Sequence, residues 1–244
     1  MRVRPIKTRI FREGEDLIEF IDRYIGRLKE RCVVVITSKI VALSQGRTVK
    51  VTGTQAKERL IRAESDWMRR TKYTWLTVKD GTVMASAGID ESNANGKLIL
   101  LPRDAYGTAS RIRRALAKRR QLKKLGVLIS DSRILPLRAG AVGIALGYAG
   151  LGGIRDYRGM PDLFGRKFIY SRTDVADSLA TAAVVLMGEA AERQPLAVIE
   201  EAPIAFTSRV NRKELHIDPR EDLYRPFFEN IKKIYQRRGR GHAP

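Results

Sequence analysis

The sequence predicts a mixed α and β fold (α+β), and three observations carry that expectation. Apolar runs such as Val33 to Ile36, Val127 to Ile129 and Leu196 to Ile199 are too brief for helices and suit buried strands. Between them lie longer stretches whose apolar residues recur at helical spacing. Asp80-Gly81 separates two short alternating runs, the strongest hairpin signal in the chain. Helices alternating with short strands build a mixed core.

Taken in order, Leu17, Phe20, Ile21, Tyr24, Ile25 and Leu28 give an amphipathic helix from about Glu15. The buried run Val33 to Ile36 follows and ends at Thr37-Ser38-Lys39. Gln55 to Arg70 reads as a second, less regular helix. Thr74 to Val78 and Thr82 to Ser86 form the hairpin, and Leu98 to Leu101 is a strand stopped by Pro102. A basic helix follows, with Thr108 or Ser110 as its cap and Gly126 as its stop. Asp174 caps a helix whose Ala176, Leu179, Ala180, Ala183, Val184 and Met187 share one face, and Gly188 closes it. Asp222 to Tyr235 is the expected terminal helix, and 236–244 reads as a basic, disordered tail after one domain spanning 1–235. The glycines between Gly140 and Gly153 suit close packing of two elements or two subunits, with close approach of backbone to a phosphate as the alternative.

Composition narrows the function. At 43% hydrophobic and 30% charged residues, the 244-residue chain is that of a globular protein rather than a disordered one. No segment reads as a signal peptide or a membrane span, so a cytoplasmic protein is expected. Cys32 is the single cysteine, which excludes an intrachain disulfide, and it reads as a buried, inert thiol. With only His216 and His242, neither a histidine-rich zinc site nor a Ser-His-Asp triad is expected, although His216 alone stays a candidate. The net charge of +20 attracts polyanions. Much of it sits between Arg111 and Lys124 and in the tail from Gln236. Nucleic acid is therefore the second partner class, without a recognisable binding motif to accompany it. Neither a Walker A loop nor a G-x-G-x-x-G fingerprint occurs.

Two strand ends carry candidate chemistry. Ala87-Gly88-Ile89-Asp90-Glu91-Ser92-Asn93 places a carboxylate, a hydroxyl and an amide close together after the hairpin. Ile129-Ser130-Asp131-Ser132 closes the run from Val127. Hard dications take oxygen ligands of this kind and share them with a bound phosphate. Ordinary turn or cap roles for Asp90 and Asp131 are the competing reading. Glu189 stands after the helix closed by Gly188, a third acidic group at an element end.

With these residues in place, the sequence resembles the coenzyme F-420-0:γ-glutamyl ligases (CofE-like) from about Pro5 to Pro226. The resemblance rests on Thr37-Ser38-Lys39-Ile40-Val41, Gly88-Ile89-Asp90-Glu91-Ser92-Asn93 and Ser130-Asp131-Ser132. Arg138-Ala139-Gly140, Asp156-Tyr157-Arg158-Gly159, Asp162-Leu163-Phe164-Gly165-Arg166 and Met187-Gly188-Glu189 complete it. It implies a metal-dependent ligase with the family's own mixed fold, an intertwined homodimer that joins L-glutamate to a carboxylate through an acyl phosphate. The implied cofactors are Mg²⁺ or Mn²⁺ at two sites, with GTP or ATP as co-substrate. By the same resemblance Asp90, Asp131, Ser132 and Glu189 hold metal, and Ser38, Lys39 and Asn93 contact the nucleotide. Asp90, Asp131 and Arg138 carry the catalysis, while Arg155, Arg158 and Arg166 are candidates for gripping substrate carboxylates, because guanidinium forks match carboxylates.

The chain departs from the family pattern at three places. Lys7-Thr8-Arg9-Ile10 replaces a Gly-Leu/Ile-Pro loop, Leu43 replaces a lysine, and Ile134-Leu135 replaces a Gly-Arg pair. Pro5-Ile6-Lys7-Thr8, Gln194-Pro195-Leu196-Ala197 and Glu221-Asp222-Leu223-Tyr224 resemble a bacterial branch assigned to folate metabolism. The acceptor is therefore folate-like or a deazaflavin, and the nucleotide GTP or ATP. A nucleic-acid-binding protein on a ligase-derived fold is the alternative function.

Overall fold

The computed structural model describes residues 1–228. The basic tail 236–244 and the second half of the expected terminal helix, 229–235, lie outside the described residues. In chain order the elements are β1 (Arg2–Ile6), α1 (Leu17–Ile25), β2 (Cys32–Thr37), α2 (Ser38–Ser44), β3 (Thr48–Val49), α3 (Thr54–Glu64), β4 (Trp67–Arg70), β5 (Trp75–Lys79) and β6 (Thr82–Ala85). A short 3₁₀ turn at Ser86–Gly88 leads to β7 (Leu98–Ile99), α4 (Ala105–Arg120), β8 (Leu125–Ile134), β9 (Ala141–Ala149), β10 (Ile154–Asp156), β11 (Arg172–Asp174), α5 (Val175–Met187), β12 (Leu196–Glu200) and α6 (Arg225–Phe228). They fall into two compact units. The larger holds Met1–Arg47 and Pro102–Leu215, the smaller Thr48–Leu101 and the residues from His216.

The larger unit is built on a five-stranded sheet in the order β1-β12-β2-β8-β9. Only β2 and β8 run parallel, from Cys32 beside Leu125 to Thr37 beside Ser130. Leu17, Phe20, Ile21 and Ile25 of α1, and Ala109, Ile112 and Leu116 of α4, cover one face, meeting Val34, Ile36, Val127 and Ile129. Helix α5 covers the other, where Ala176, Leu179, Ala180 and Ala183 meet Val33, Val35, Leu128 and Tyr148. A strand covered on both faces must be apolar at every position, which is why Cys32 to Ile36 shows no alternation. Cys32 is buried in this layer, and burial pushes its thiol pKa up, as expected of an inert cysteine.

Strand β9 pairs antiparallel with β8 and carries one extra residue, Leu146, between Gly147 (opposite Ile129) and Ala145 (opposite Ser130). The glycines of this strand serve packing. A Cβ on Gly143 would lie 2.5 Å from the Ala180 carbonyl carbon, and one on Gly147 would lie 2.5 Å from Tyr106 N.

Several boundaries differ from the sequence reading. The basic helix is capped by Asp104, whose Oδ1 accepts from Gly107 N at 2.9 Å, rather than by Thr108 or Ser110. It ends at Arg120 with Gln121 left-handed, and Gly126 lies inside β8. Lys123 and Lys124 therefore stand in a turn, where their backbone N–H groups donate to Glu30. β8 continues through Asp131 and Ser132, so these residues are held by strand pairing instead of terminating it. The helix predicted over 55–70 stops at Glu64, where Ser65 turns extended and donates to Ile61 O at 2.7 Å. Trp67 to Arg70 instead pair with β5, because a cross-strand partner outweighs helix propensity there.

The smaller unit contains the three-stranded sheet β4-β5-β6 and the pair β3-β7. Its hairpin turns at Asp80 and Gly81, both at positive φ, as the dipeptide predicts. Ile61, Val78, Met84, Leu98 and Ile99 are buried within it. Among the described residues no helix is long and apolar enough to cross a membrane.

Candidate active site

Four of the predicted site residues form two hydrogen-bonded pairs in the larger unit, at the end of the parallel strands. The register that sets Thr37 beside Ser130 brings the next residues, Ser38 and Asp131, abreast. The buried Ser38 hydroxyl donates to Asp131 Oδ1 at 2.9 Å. Ser38 is also the first residue of α2, so a strand-to-helix turn fixes its backbone. One residue further along β8, the Ser132 hydroxyl donates to Glu189 Oε2 at 3.2 Å. Glu189 follows Gly188, whose φ of 81° ends α5. Consecutive strand residues address opposite faces, so Asp131 is joined to α2 and Ser132 to the end of α5.

The result is two separate pairs, each a carboxylate with a hydroxyl and all of them oxygen donors. That donor set fits a hard dication such as Mg²⁺ or Mn²⁺, which takes few protein carboxylates and completes its shell with water and substrate phosphate. Among the described residues no group of three His, Cys, Asp or Glu side chains forms a self-sufficient metal cage. Lys39, partly buried, follows Ser38 in the first turn of α2.

Asp90 and Asn93 belong to the smaller unit. Asp90 forms a backbone bridge with Ile99, exchanging hydrogen bonds of 2.9 and 2.8 Å. Its carboxylate accepts from Ser92 N at 2.7 Å and Ser92 Oγ at 3.1 Å, while Glu91 pairs with Lys57. Before it, Ser86, Ala87 and Gly88 are all left-handed. A Cβ on Gly88 would stand 2.6 Å from Leu101 Cγ, so only glycine fits there. The Thr77 hydroxyl, fully buried, accepts from Ala87 N at 2.8 Å and donates to Met84 O at 2.7 Å. A loop in this unusual conformation, fastened from beneath, holds Asp90 in one place.

The predicted arginines are differently committed. Arg158 forks onto Asp156, with Nε to Oδ1 at 2.9 Å and Nη2 to Oδ2 at 2.5 Å, and that pairing holds Asp156 down at a pKa of about 2. Arg155 donates to Pro203 O and to Tyr157 Oη. Arg166 lies at the tip of the hairpin 154–174, where its backbone N–H donates to Asp162. Arg138 is exposed just after the β8 strand. The basic helix is partly neutralised from α1: Arg119 pairs with Glu19 and Asp22, and Arg120 with Asp22. Arg113 is tied to Leu125 O at 2.8 Å.

Three further residues border the site without a motif to signal them. Asp177 accepts from Ala145 N at 2.8 Å, satisfying the amide next to the extra residue of β9. Asp174 caps α5 by accepting from Asp177 N at 2.9 Å. Burial, joined by the neighbouring Asp177, raises the Asp174 pKa to about 6, and burial raises that of Asp177 as well. Arg133, two residues after Asp131, is partly buried, with its Nε out of reach of solvent. Burial pulls its pKa down against the charges of Asp131 and Asp177. A strand run Ser-Asp-Ser-Arg followed by apolar residues was the available signal, since a charge inside a covered strand needs a reason.

The sequence model of the family described as F420-0:gamma-glutamyl ligase matches residues 5–201. The chain belongs to that family. Its known relatives include the coenzyme F420:L-glutamate ligase of Methanococcus maripaludis (strain C7), 32% identical over 87% of this chain and 92% of the relative. The enzyme of the same name from Methanocaldococcus jannaschii is 32% identical over 90% of this chain and 85% of its own length. That from Methanothermobacter thermautotrophicus is 42% identical over 68% of this chain and 67% of its own. Membership makes this F420-0:γ-glutamyl ligase family protein a ligase that forms an amide bond. The matched span includes Ser38, Asp90, Asp131, Ser132 and Glu189.

Proposed function

We propose that this protein joins L-glutamate to the terminal carboxylate of a coenzyme F-420-0-like acceptor, using a nucleoside triphosphate and a divalent cation. The observation that supports it most is the meeting of Ser38 with Asp131 and of Ser132 with Glu189 at the end of a buried parallel strand pair. The relatives' names favour the deazaflavin over a folate-like carboxylate as acceptor.

A carboxylate is a poor acylating agent. Passing the γ-phosphoryl group of GTP or ATP to it gives an acyl phosphate, which the amine of glutamate then attacks with loss of phosphate. The work of the protein is to position the groups and offset charge. In this reading Asp131, Ser132 and Glu189 of the larger unit would hold the Mg²⁺ or Mn²⁺, and Asp90 is a candidate metal ligand of the smaller unit. Such a cation, when bound, would supply neutralisation of phosphoryl charge. Ser38 orients the Asp131 carboxylate, and Lys39 beside it serves the nucleotide. Arg138 and Arg166, both exposed, are the cations available to substrate carboxylates, whereas Arg158 must first leave Asp156.

The hairpin 154–174 supports the dimer proposed with this function. Leu163, Phe164, Ile169 and Tyr170 are 97, 95, 62 and 85% exposed. An apolar surface of that kind is best covered by a second copy of the chain.

The deciding experiment incubates the purified protein with Mg²⁺ or Mn²⁺, L-glutamate, GTP or ATP, and either F-420-0 or a reduced folate. Mass spectrometry follows glutamyl addition, and light scattering the molecular mass. Addition to F-420-0 is expected, dependent on nucleotide and metal. Asp131→Asn should lower turnover at least about a thousandfold while leaving the fold intact. Turnover within tenfold of wild type in that variant would remove Asp131 from the site.

A further inference from the structure

Among the described residues, one wholly buried side-chain nitrogen or oxygen lacks a hydrogen-bond partner: Nε of Arg133. Other arginines of the larger unit show how this protein treats a guanidinium. Arg113 is tied to a carbonyl, Arg155 likewise, and Arg119, Arg120 and Arg158 to carboxylates. Burying a guanidinium donor with nothing to receive it costs free energy, and native structures rarely carry the cost without a use. Arg133 stands two positions after Asp131 and one after Ser132, on the strand that holds both, and the charges of Asp131 and Asp177 act on it.

A guanidinium with an open donor beside oxygen donors is a receiver for an oxyanion, because its planar fork matches phosphoryl and carboxylate groups alike. We infer that Arg133 binds an anionic group of the reactants, a phosphoryl or a carboxylate, next to Asp131. The ligand closes the hydrogen bonds that the free protein leaves open, so the cost of burying the cation is recovered on binding. This assignment deepens the ligase reading and rests on it for the choice of anions. It also gives a role to the stretch where the chain replaces the family's Gly-Arg pair by Ile134-Leu135. The cation is here on the strand itself, two positions earlier.

The test uses the full chain and the variants Arg133→Met and Arg133→Lys. Calorimetry measures the affinity of each for inorganic phosphate, for GTP with Mg²⁺ and for L-glutamate, and thermal melting is recorded without ligand. The expected result is that Arg133→Met weakens at least one of these anions by about tenfold or more, Arg133→Lys by less, and the ligand-free melting temperature does not fall. Loss of phosphate and GTP affinity identifies a phosphoryl group as the source. Loss of glutamate affinity identifies a carboxylate.

All affinities within twofold of wild type would overturn the inference, and so would a wild type that binds none of the three. A fall of several degrees in the ligand-free melting temperature of Arg133→Met would also overturn it, since the arginine would then be structural. Glutamyl transfer scored in parallel separates the two readings. Transfer by wild type with unchanged binding in Arg133→Met ends this inference alone. Absent transfer with lost anion binding ends the ligase reading alone.

Discussion

Gly143 is where packing and chemistry can be separated by a single methyl group. It pairs with Ser132 across β9 and β8, and its carbonyl accepts from Thr181 Oγ1 of α5 at 2.7 Å. A Cβ there would lie 2.5 Å from the Ala180 carbonyl carbon and 2.7 Å from Thr181 N. Backbone atoms of a helix cannot rotate aside as a side-chain tip can. Carbon contacts are comfortable from about 3.5 Å, so α5 must withdraw from the sheet by about 1 Å. Such overpacking costs about 1–3 kcal/mol, and bending the Thr181 hydrogen bond adds about 1 kcal/mol. For Gly143→Ala the expected loss is therefore about 2–4 kcal/mol, or a melting temperature lower by about 4–16 °C for a chain of this size. The same withdrawal carries the end of α5, and with it Glu189, away from Ser132. Urea unfolding gives the stability and glutamyl transfer the activity, with transfer falling further than the folded fraction does. A loss below about 1 kcal/mol with activity intact would refute the reasoning and return these glycines to the phosphate-approach alternative.

Two other perturbations test separate parts of the structure. Asp174 has its pKa raised in the fold to about 6, so the folded form keeps a proton that the unfolded chain has already released. Its stabilising contribution is present below about pH 4 and is lost as the pH rises through about 6. Asp174→Asn keeps an oxygen to accept from Asp177 N, so its melting temperature should gain on wild type between pH 5 and 8; a difference that does not change with pH would contradict this. Gly88→Ala combines a φ of 70° with a Cβ 2.6 Å from Leu101 Cγ, and should cost about 2–4 kcal/mol. Hydrogen exchange should show faster opening across 77–101, and unchanged protection there would mean that the loop before Asp90 tolerates a side chain.

The sequence by itself determined the mixed fold class, the apolar strands at the centre of the sheet, the Asp-Gly hairpin and the cap of α5. All are local properties. A covered strand must be apolar throughout, and two consecutive positive φ angles select Asp-Gly. Asp131, Ser132 and Glu189 were legible as oxygen donors near expected element ends, whereas Ser38 drew notice as a site residue only through the family resemblance. What the local signal could not supply was partnership. That Trp67 to Arg70 form a strand depended on β5, and that Asp131 and Ser132 sit within β8 depended on β9 pairing past them. The meeting of Ser38 with Asp131, across 93 positions of chain, followed only from the parallel register of β2 and β8. Asp177 gained its place from an extra residue on a neighbouring strand, and Arg133 its significance from burial without a partner. Neither property exists until a covered sheet has removed those groups from water.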